Sequence, residues 1–433
     1  MKMIEVFDGN QLHDQPVAYP SGKTRCALFG VGGDGNTRTF VKMDDELLSR
    51  HVLLLGGIGT GKTNAFYQIL TQLRQSMTEK DVMIIFDTKK DFYNDFYQKG
   101  DVVISNDETA CGPDGPDYWN LFRELAQEED MEVEINEIAK TLFADRLRRT
   151  TQPFFPNAAK DLFGAVLTHF YRRKEEFFCD NLALRQFMDA MPVAKLREML
   201  ESHHDLRAMA SYIYDDKSGQ TQGVLSELQQ QVRELFIGNF KKRGTLSMRE
   251  LVRAKGGRAI FIEYDISVGE SLTPIYSLLF DLAIKEALGR KKSEGNVFFI
   301  VDEFRLLPNL LHIGDAVNFG RSLGVKFMVG LQNIEQMYEV YGKSGASSIL
   351  SGFLTNICFR VNDYSSIEYI QNRFGRNRKK EVYTAAVQGR GIVENIRDAH
   401  VVEDWDIQQL KTGEAIIGLP ACEPFRFHFL RAK

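Results

Sequence analysis

The sequence is poor in cysteine. Five occur in 433 residues, Cys26, Cys111, Cys179, Cys358 and Cys422, scattered along the chain. No CxxC pair is present and no histidine pair stands near a cysteine, which argues against a zinc site or a disulfide framework and fits a reducing compartment. No stretch reaches the roughly 20 uncharged apolar residues that a membrane span needs. The longest apolar runs, around Val297–Val301 and Tyr276–Leu282, are short and bounded by charge, and read as a buried strand and a helix. The opening MKMIEVFDGNQLHDQ lacks the apolar core of a secretory signal. Internal repeats and low-complexity tracts are missing too. A formal net charge of -5 gives no global electrostatic case for a nucleic-acid partner, although a local basic surface would suffice for one. The expectation is a soluble, intracellular protein.

What is present is alternation. HVLLL (51–55), DVMIIFD (81–87) and DVVIS (101–105) are apolar and β-branched, as strands buried on both faces should be. Strand signals return in RAIFIEYDI (258–266), NVFFIVD (296–302), VKFMVGLQ (325–332), NICFRV (356–361) and EAIIGL (414–419), with helix-like segments between most of them. Such a pattern predicts an α/β fold with a mostly parallel sheet covered on both faces. Between about 120 and 253 the texture changes. INEIAKTLF places Ile135, Ile138, Ala139, Leu142 and Phe143 on one helical face, and AAKDLFGAVLTHF does the same with Ala159, Leu162, Phe163, Val166, Leu167 and Phe170. The predicted organisation is a nucleotide-binding domain in two pieces, 1–119 and 254–433, interrupted by an all-α insertion, 120–253.

The stretch HVLLLGGIGTGKTNAF carries the chemistry. Gly56-x4-Gly61-Lys62-Thr63 matches the P-loop pattern, and it follows a buried strand and opens a helix, which is the confirming context. Glycines let the loop backbone point its N–H groups at phosphates, and the helix N-terminus adds a positive end. Lys62 should reach the β- and γ-phosphates and the Thr63 hydroxyl should bind Mg²⁺. The predicted nucleotide-contacting set is Gly56, Gly57, Gly59, Thr60, Gly61, Lys62, Thr63 and Asn64. VFFIVDEF supplies the strand-end acids that such a site requires: Asp302 for Mg²⁺ and Glu303 to polarise the attacking water. Gln332 ends the next predicted strand, where a side chain can sense the γ-phosphate. Arg321 ends a helix-like stretch and is either a surface arginine or one that reaches a neighbouring subunit's nucleotide.

The order of segments is more specific than any one motif. A P-loop is followed by FDTKKDF (86–92), YWNLFREL (118–125), the helical insertion, VDEFRLLPNL (301–310), GRSLGVKFMVGLQNIEQMYEVYG (320–342) and NICFRVNDYSSIEYIQNRFG (356–375). Over roughly residues 45–430 this resembles the type IV coupling proteins of bacterial conjugation and type IV secretion, hexameric RecA-like ATPases related to the FtsK/HerA translocases. The resemblance implies an Arg321 finger, a motif glutamine at Gln332 and catalysis by Lys62, Glu303, Arg321 and Gln332 with ATP and Mg²⁺. Asp87 and Lys89 match the family's Asp-Pro-Lys segment, with Thr88 in place of proline. Members usually begin with transmembrane helices, and some carry an acidic C-terminal tail; the 433 residues read here show neither pattern. Two expectations stand: a chain trimmed of its anchor or, the favoured one, a naturally soluble member recruited to the inner face of the membrane by a partner.

The resemblance thus implies an ATP-driven DNA translocase that delivers DNA or a relaxase–DNA complex to a conjugative channel. Implied partners are DNA, single- or double-stranded, a relaxase or adaptor, channel components or a membrane-anchored recruiter, and further copies of the chain in a ring that can be monomeric in isolation. Arg146, Arg148 and Arg149, Lys241, Lys242 and Arg243, and Arg376, Arg378, Lys379 and Lys380 are the basic runs available to a phosphate backbone, or else solvated helix ends and loops. No aromatic-interleaved run marks a single-strand surface. Alternatives are an ATP-regulated platform for recruiting protein substrates, and a HerA-like motor in DNA processing or phage defence. His203 and His204 read as exposed loop residues, and His51 as structural.

Overall fold

The computed structural model describes residues 2–16, 22–107, 117–125, 131–175, 177–291, 294–383 and 393–432; Cys111 lies outside them. The strands are β1 (Lys2–Asp8), β2 (Thr24–Gly32), β3 (Arg38–Asp44), β4 (Val52–Leu55), β5 (Val82–Asp87), β6 (Val102–Ser105), β7 (Ala259–Glu263), β8 (Val297–Val301), β9 (Val325–Leu331), β10 (Thr355–Cys358), β11 (Arg376–Tyr383), β12 (Val393–His400), β13 (Glu414–Gly418) and β14 (Phe425–Phe429). The chain divides into two compact units, one of residues 1–78, 298–305 and 314–433, the other of residues 79–297 and 306–313. In this division β5, β6 and β7 group with the helices that follow them in sequence.

In the first unit the strand order is β3-β2-β14-β13-β10-β4-β9-β8. β10, β4 and β9 pair in parallel. Val52 to Leu55 are fully buried, as are Phe298 to Val301, so apolar runs without alternation form central strands. To this parallel block the structure adds an antiparallel wing, β13, β14, β2 and β3. FGVGGDGNTRTF is the β2–β3 hairpin, whose turn is tied by Asp34 accepting from the Asn36 and Thr37 amides. A separate three-stranded sheet has the order β1-β11-β12. Its middle strand is the basic run 376–380, expected as a loop or helix end. Charge pairing takes the place of apolar alternation there: Arg378 meets Asp398 at 3.3 Å and Lys380 meets Glu394 at 2.6 Å.

In the second unit β5, β7 and β6 pair in parallel. All the described elements between β6 and β7 are helical. The face predicted for Met131–Arg149 is buried, as is that of Phe154–Arg173, and the rings of Phe143 and Phe163 lie 5.7 Å apart between them. YWNLFREL proves to be a structural staple. Glu124, fully buried, accepts from Trp119 Nε1 at 2.8 Å, Ser247 Oγ at 3.0 Å and the amides of Met248 and Arg249, so it ties the motif to the helix Met248–Ala254. Burial pushes its carboxyl up, against the pull of these donors. His203 is not an exposed loop residue: it is part-buried and its Nε2 lies 2.8 Å from His169 Nδ1. Among the described residues no helix is long and apolar enough to cross a membrane.

Candidate active site

The site assembles within the first unit. β4 runs into the glycine loop, and the helix Lys62–Ser76 begins directly behind it. Gly59 and Gly61 have φ of 71° and 115°, a region that side chains disfavour. Gly56 is required by crowding, since a Cβ there would lie 2.5 Å from Phe359 Cβ. The loop is sutured on both flanks. Gly56 N donates to Leu331 O at 3.0 Å, and Gly57 N donates to Arg360 O at 2.9 Å. Lys62, nearly buried, donates its ammonium to the carbonyl of Gly56 and, at 3.1 Å, to that of Gly57. Thr60 Oγ1 closes the same turn on Gly57 O at 2.8 Å.

β8 delivers the acids. Thr63 Oγ1 lies 3.4 Å from Asp302 Oδ2, bringing a hydroxyl and a carboxylate together from positions 239 residues apart. Two hard oxygen donors side by side suit Mg²⁺, which takes few protein ligands and completes its shell with water and phosphate. Among the described residues no cluster of three or more His, Cys, Asp or Glu forms a self-sufficient metal site. Glu303 accepts a hydrogen bond from Gln332 Nε2 and meets Arg305 Nε at 3.2 Å. Phe304, the next residue, stacks on Tyr341 with centroids 6.1 Å apart, immediately before the break at Gly342 (φ 69°) in the helix Glu335–Ser351.

The structure therefore brings Lys62, Thr63, Asp302, Glu303 and Gln332 into one neighbourhood. Arg321 stands apart, in the turn before β9. Its half-exposed guanidinium pairs with Glu46, which Arg50 also approaches at 3.4 Å. Burial works to raise the Glu46 carboxyl, but Arg321 and then Arg50 outweigh it and hold that group below the usual carboxylate range. Asn64 is engaged elsewhere: its amide bonds the backbone of Leu430 at 3.0 Å and of Ala432 at 2.8 Å. In the second unit Asp87 accepts from the amides of Lys89 and Tyr93, so it organises its own turn, and burial raises its carboxyl.

Of the basic runs, Arg146 is tied to Glu227, Gln231 and Glu234. Arg148 meets Asp145 and Arg149 meets Glu270. Two aromatic–cation pairs appear that no linear pattern announced: Lys242 lies 4.8 Å from the Tyr118 ring and Arg243 5.2 Å from that of Phe177. Sequence reasoning also missed Gly330, where a Cβ would sit 2.2 Å from Asp302 O, and Gly413, whose N–H donates to Thr60 O at 2.9 Å. An isolated glycine inside VKFMVGLQ was the available signal for the first.

A buried strand, a glycine loop capped by Lys62-Thr63, and an acid pair at the end of a nearby strand define a P-loop nucleotide-binding fold of the RecA-like α/β type. Residues 39–426 match the family described as type IV secretion-system coupling protein DNA-binding domain, and the chain belongs to it. It is 22% identical over 435 residues to the coupling protein TraD of Escherichia coli (strain K12), covering 96% of this chain but 55% of TraD, so it spans about half the length of that relative. The bacterial conjugative coupling protein TrwBdeltaN70 in an unbound form superposes with a TM-score of 0.74 at 19% identity, over 95% of this chain and 90% of that one. TrwB in complex with ADP and Mg²⁺ gives a TM-score of 0.69 at 19% identity, over 90% and 87%.

Proposed function

We propose that the chain is an Mg²⁺-dependent ATPase that drives DNA, or a relaxase–DNA complex, toward a conjugative type IV secretion channel. The observation that carries this reading is the convergence of Lys62 and Thr63 with Asp302, Glu303 and Gln332 at adjoining strand ends. Lys62 would exchange its two carbonyl partners for the β- and γ-phosphates. Thr63 and Asp302 would hold Mg²⁺, which neutralises charge on the phosphates when bound. Glu303, oriented by Gln332, would accept the proton of the attacking water. The complex of TrwB with ADP and Mg²⁺ supports the choice of nucleotide and metal.

Arg321, half-exposed on the same unit and held only by a surface pair with Glu46, suits a finger offered to a neighbouring copy's nucleotide, and with it a ring, a hexamer, with ATP at the interfaces. Family membership supports DNA as the cargo. The aromatic and basic groups Tyr118, Lys242, Phe177 and Arg243 offer one place to grip it. A membrane-anchored partner would recruit the ring to the channel, and 120–253 would serve as the all-α insertion between 1–119 and 254–433. The test is equilibrium binding of a fluorescent ATP analogue with and without Mg²⁺. Binding that depends on Mg²⁺ and is lost in Lys62→Ala supports the site; unchanged binding in that variant rejects it.

A further inference from the structure

Asn64 has the position of a nucleotide contact, one residue after Thr63, yet its side chain is spent on the last residues described. Its Nδ2 donates to Leu430 O and its Oδ1 accepts from Ala432 N. Gln68, one turn along the same helix, also donates to Leu430 O, at 2.7 Å. The path continues to the glycine loop by a second route. Phe429 N donates to Gly413 O at 2.8 Å, and Gly413 N donates to Thr60 O at 2.9 Å. Thr412 Oγ1 reaches Gly59 O at 3.4 Å. The approach is close enough that a Cβ on Gly61 would lie 3.1 Å from Gly413 Cα.

The consequence follows from peptide geometry. In a trans peptide the C=O of one residue and the N–H of the next point to opposite sides, and the described chain contains no cis peptide bond. Fixing the Thr60 carbonyl on Gly413 therefore turns the Gly61 N–H to the far side of the loop, away from Gly413. That direction is the property that lets a P-loop bind phosphate. We propose that Gly413 and the segment Phe429–Ala432 are positioning elements of the phosphate loop, so that docking of this segment and nucleotide affinity are linked. The inference rests on the nucleotide site proposed above. Linkage is reciprocal: what loosens the segment weakens nucleotide binding, and nucleotide tightens the segment.

The test uses the full chain and the non-hydrolysable analogue AMPPNP with Mg²⁺, titrated by calorimetry. Ala432→Pro removes one N–H at an exposed position, and Asn64→Ala removes both side-chain bonds. Loss of a hydrogen bond of ordinary net strength should weaken binding about threefold to tenfold in each. The double variant should be no weaker than Asn64→Ala alone, because both act through one contact. In turnover, KM for ATP should rise while kcat changes less. In the unaltered protein, AMPPNP should slow hydrogen exchange at the Gly413 and Ala432 amides. Wild-type affinity in Ala432→Pro, additive losses in the double variant, or exchange indifferent to AMPPNP would each overturn the brace. Wild-type affinity in Lys62→Ala would instead remove the nucleotide site beneath it.

Discussion

Gln332, directly after β9, donates its amide N–H to the carboxylate of Glu303, two residues beyond β8. Adjoining strand ends thus carry an acceptor able to take a proton and the donor that fixes its direction. Glu303→Gln keeps the shape and loses the basicity. Its expected outcome is retained ATP affinity with kcat lowered on the order of a hundredfold or more. Gln332→Ala should lower kcat on the order of tenfold by freeing the carboxylate. The double variant should fall no further than Glu303→Gln alone, as read by single-turnover hydrolysis.

Thr63 Oγ1 and Asp302 Oδ2 lie side by side, 3.4 Å apart, where Mg²⁺ would be held. Thr63→Ala should raise the Mg²⁺ concentration needed for half-maximal hydrolysis several-fold, since one of few protein ligands is lost. Asp302→Asn should do the same. A Mg²⁺ titration of the ATPase rate checks both, and an unshifted midpoint counts against the assignment.

Arg321 is held by Glu46 within its own chain. Such half-exposed pairs are worth only about 0–1 kcal/mol, so a stronger anionic partner can displace Glu46. Arg321→Ala should leave nucleotide affinity unchanged and lower hydrolysis on the order of a thousandfold under assembling conditions. Mixing it with Glu303→Gln should restore part of the activity, because each variant supplies what the other lacks. Wild-type turnover by Arg321→Ala rejects the finger.

Gly330 faces the backbone at Asp302. A Cβ would sit 2.2 Å from that carbonyl oxygen, and backbone cannot swing aside as a side chain can. Gly330→Ala should cost about 1–3 kcal/mol of stability, the usual range for overpacking, and displace Asp302. Thermal unfolding together with the Mg²⁺ titration reads both effects.

His51 is fully buried, and its Nδ1 accepts from Phe327 N at 3.1 Å. Burial pushes the imidazole down from 6.5 to about 3. The folded chain therefore holds His51 neutral where the unfolded chain protonates it. The stability contributed above pH 6.5 is lost progressively as pH falls toward 3, at about 1.4 kcal/mol per pH unit for one proton. Urea unfolding between pH 7.5 and 4.5 should show a shallower dependence in His51→Asn than in the unaltered chain.

How much of this was legible in the sequence depends on how local each signal is. Val52–Leu55 and Val297–Val301 announced buried strands because apolar runs need no distant partner to be recognised. Lys62, Thr63, Asp302 and Glu303 followed from motif and strand context together. The helical faces of Met131–Arg149 and Phe154–Arg173 followed from a period of 3.6. The rest is set by partners far away in sequence. β11 looked like a charge run because its stabilisation lies in Asp398 and Glu394 across the sheet. The side chain of Asn64 bonds Ala432, 368 residues away, a partner invisible to any local pattern. Gly413 carried no motif, and its importance lies in one N–H aimed at Thr60.

The most direct test of a DNA-coupled, inter-subunit ATPase is hydrolysis by the purified chain over a range of concentrations, with and without single- and double-stranded DNA. The expected result is a rate per subunit that climbs with concentration, as a site completed by a neighbour requires, and that rises further with DNA. A rate per subunit that stays flat and ignores both DNAs would contradict it.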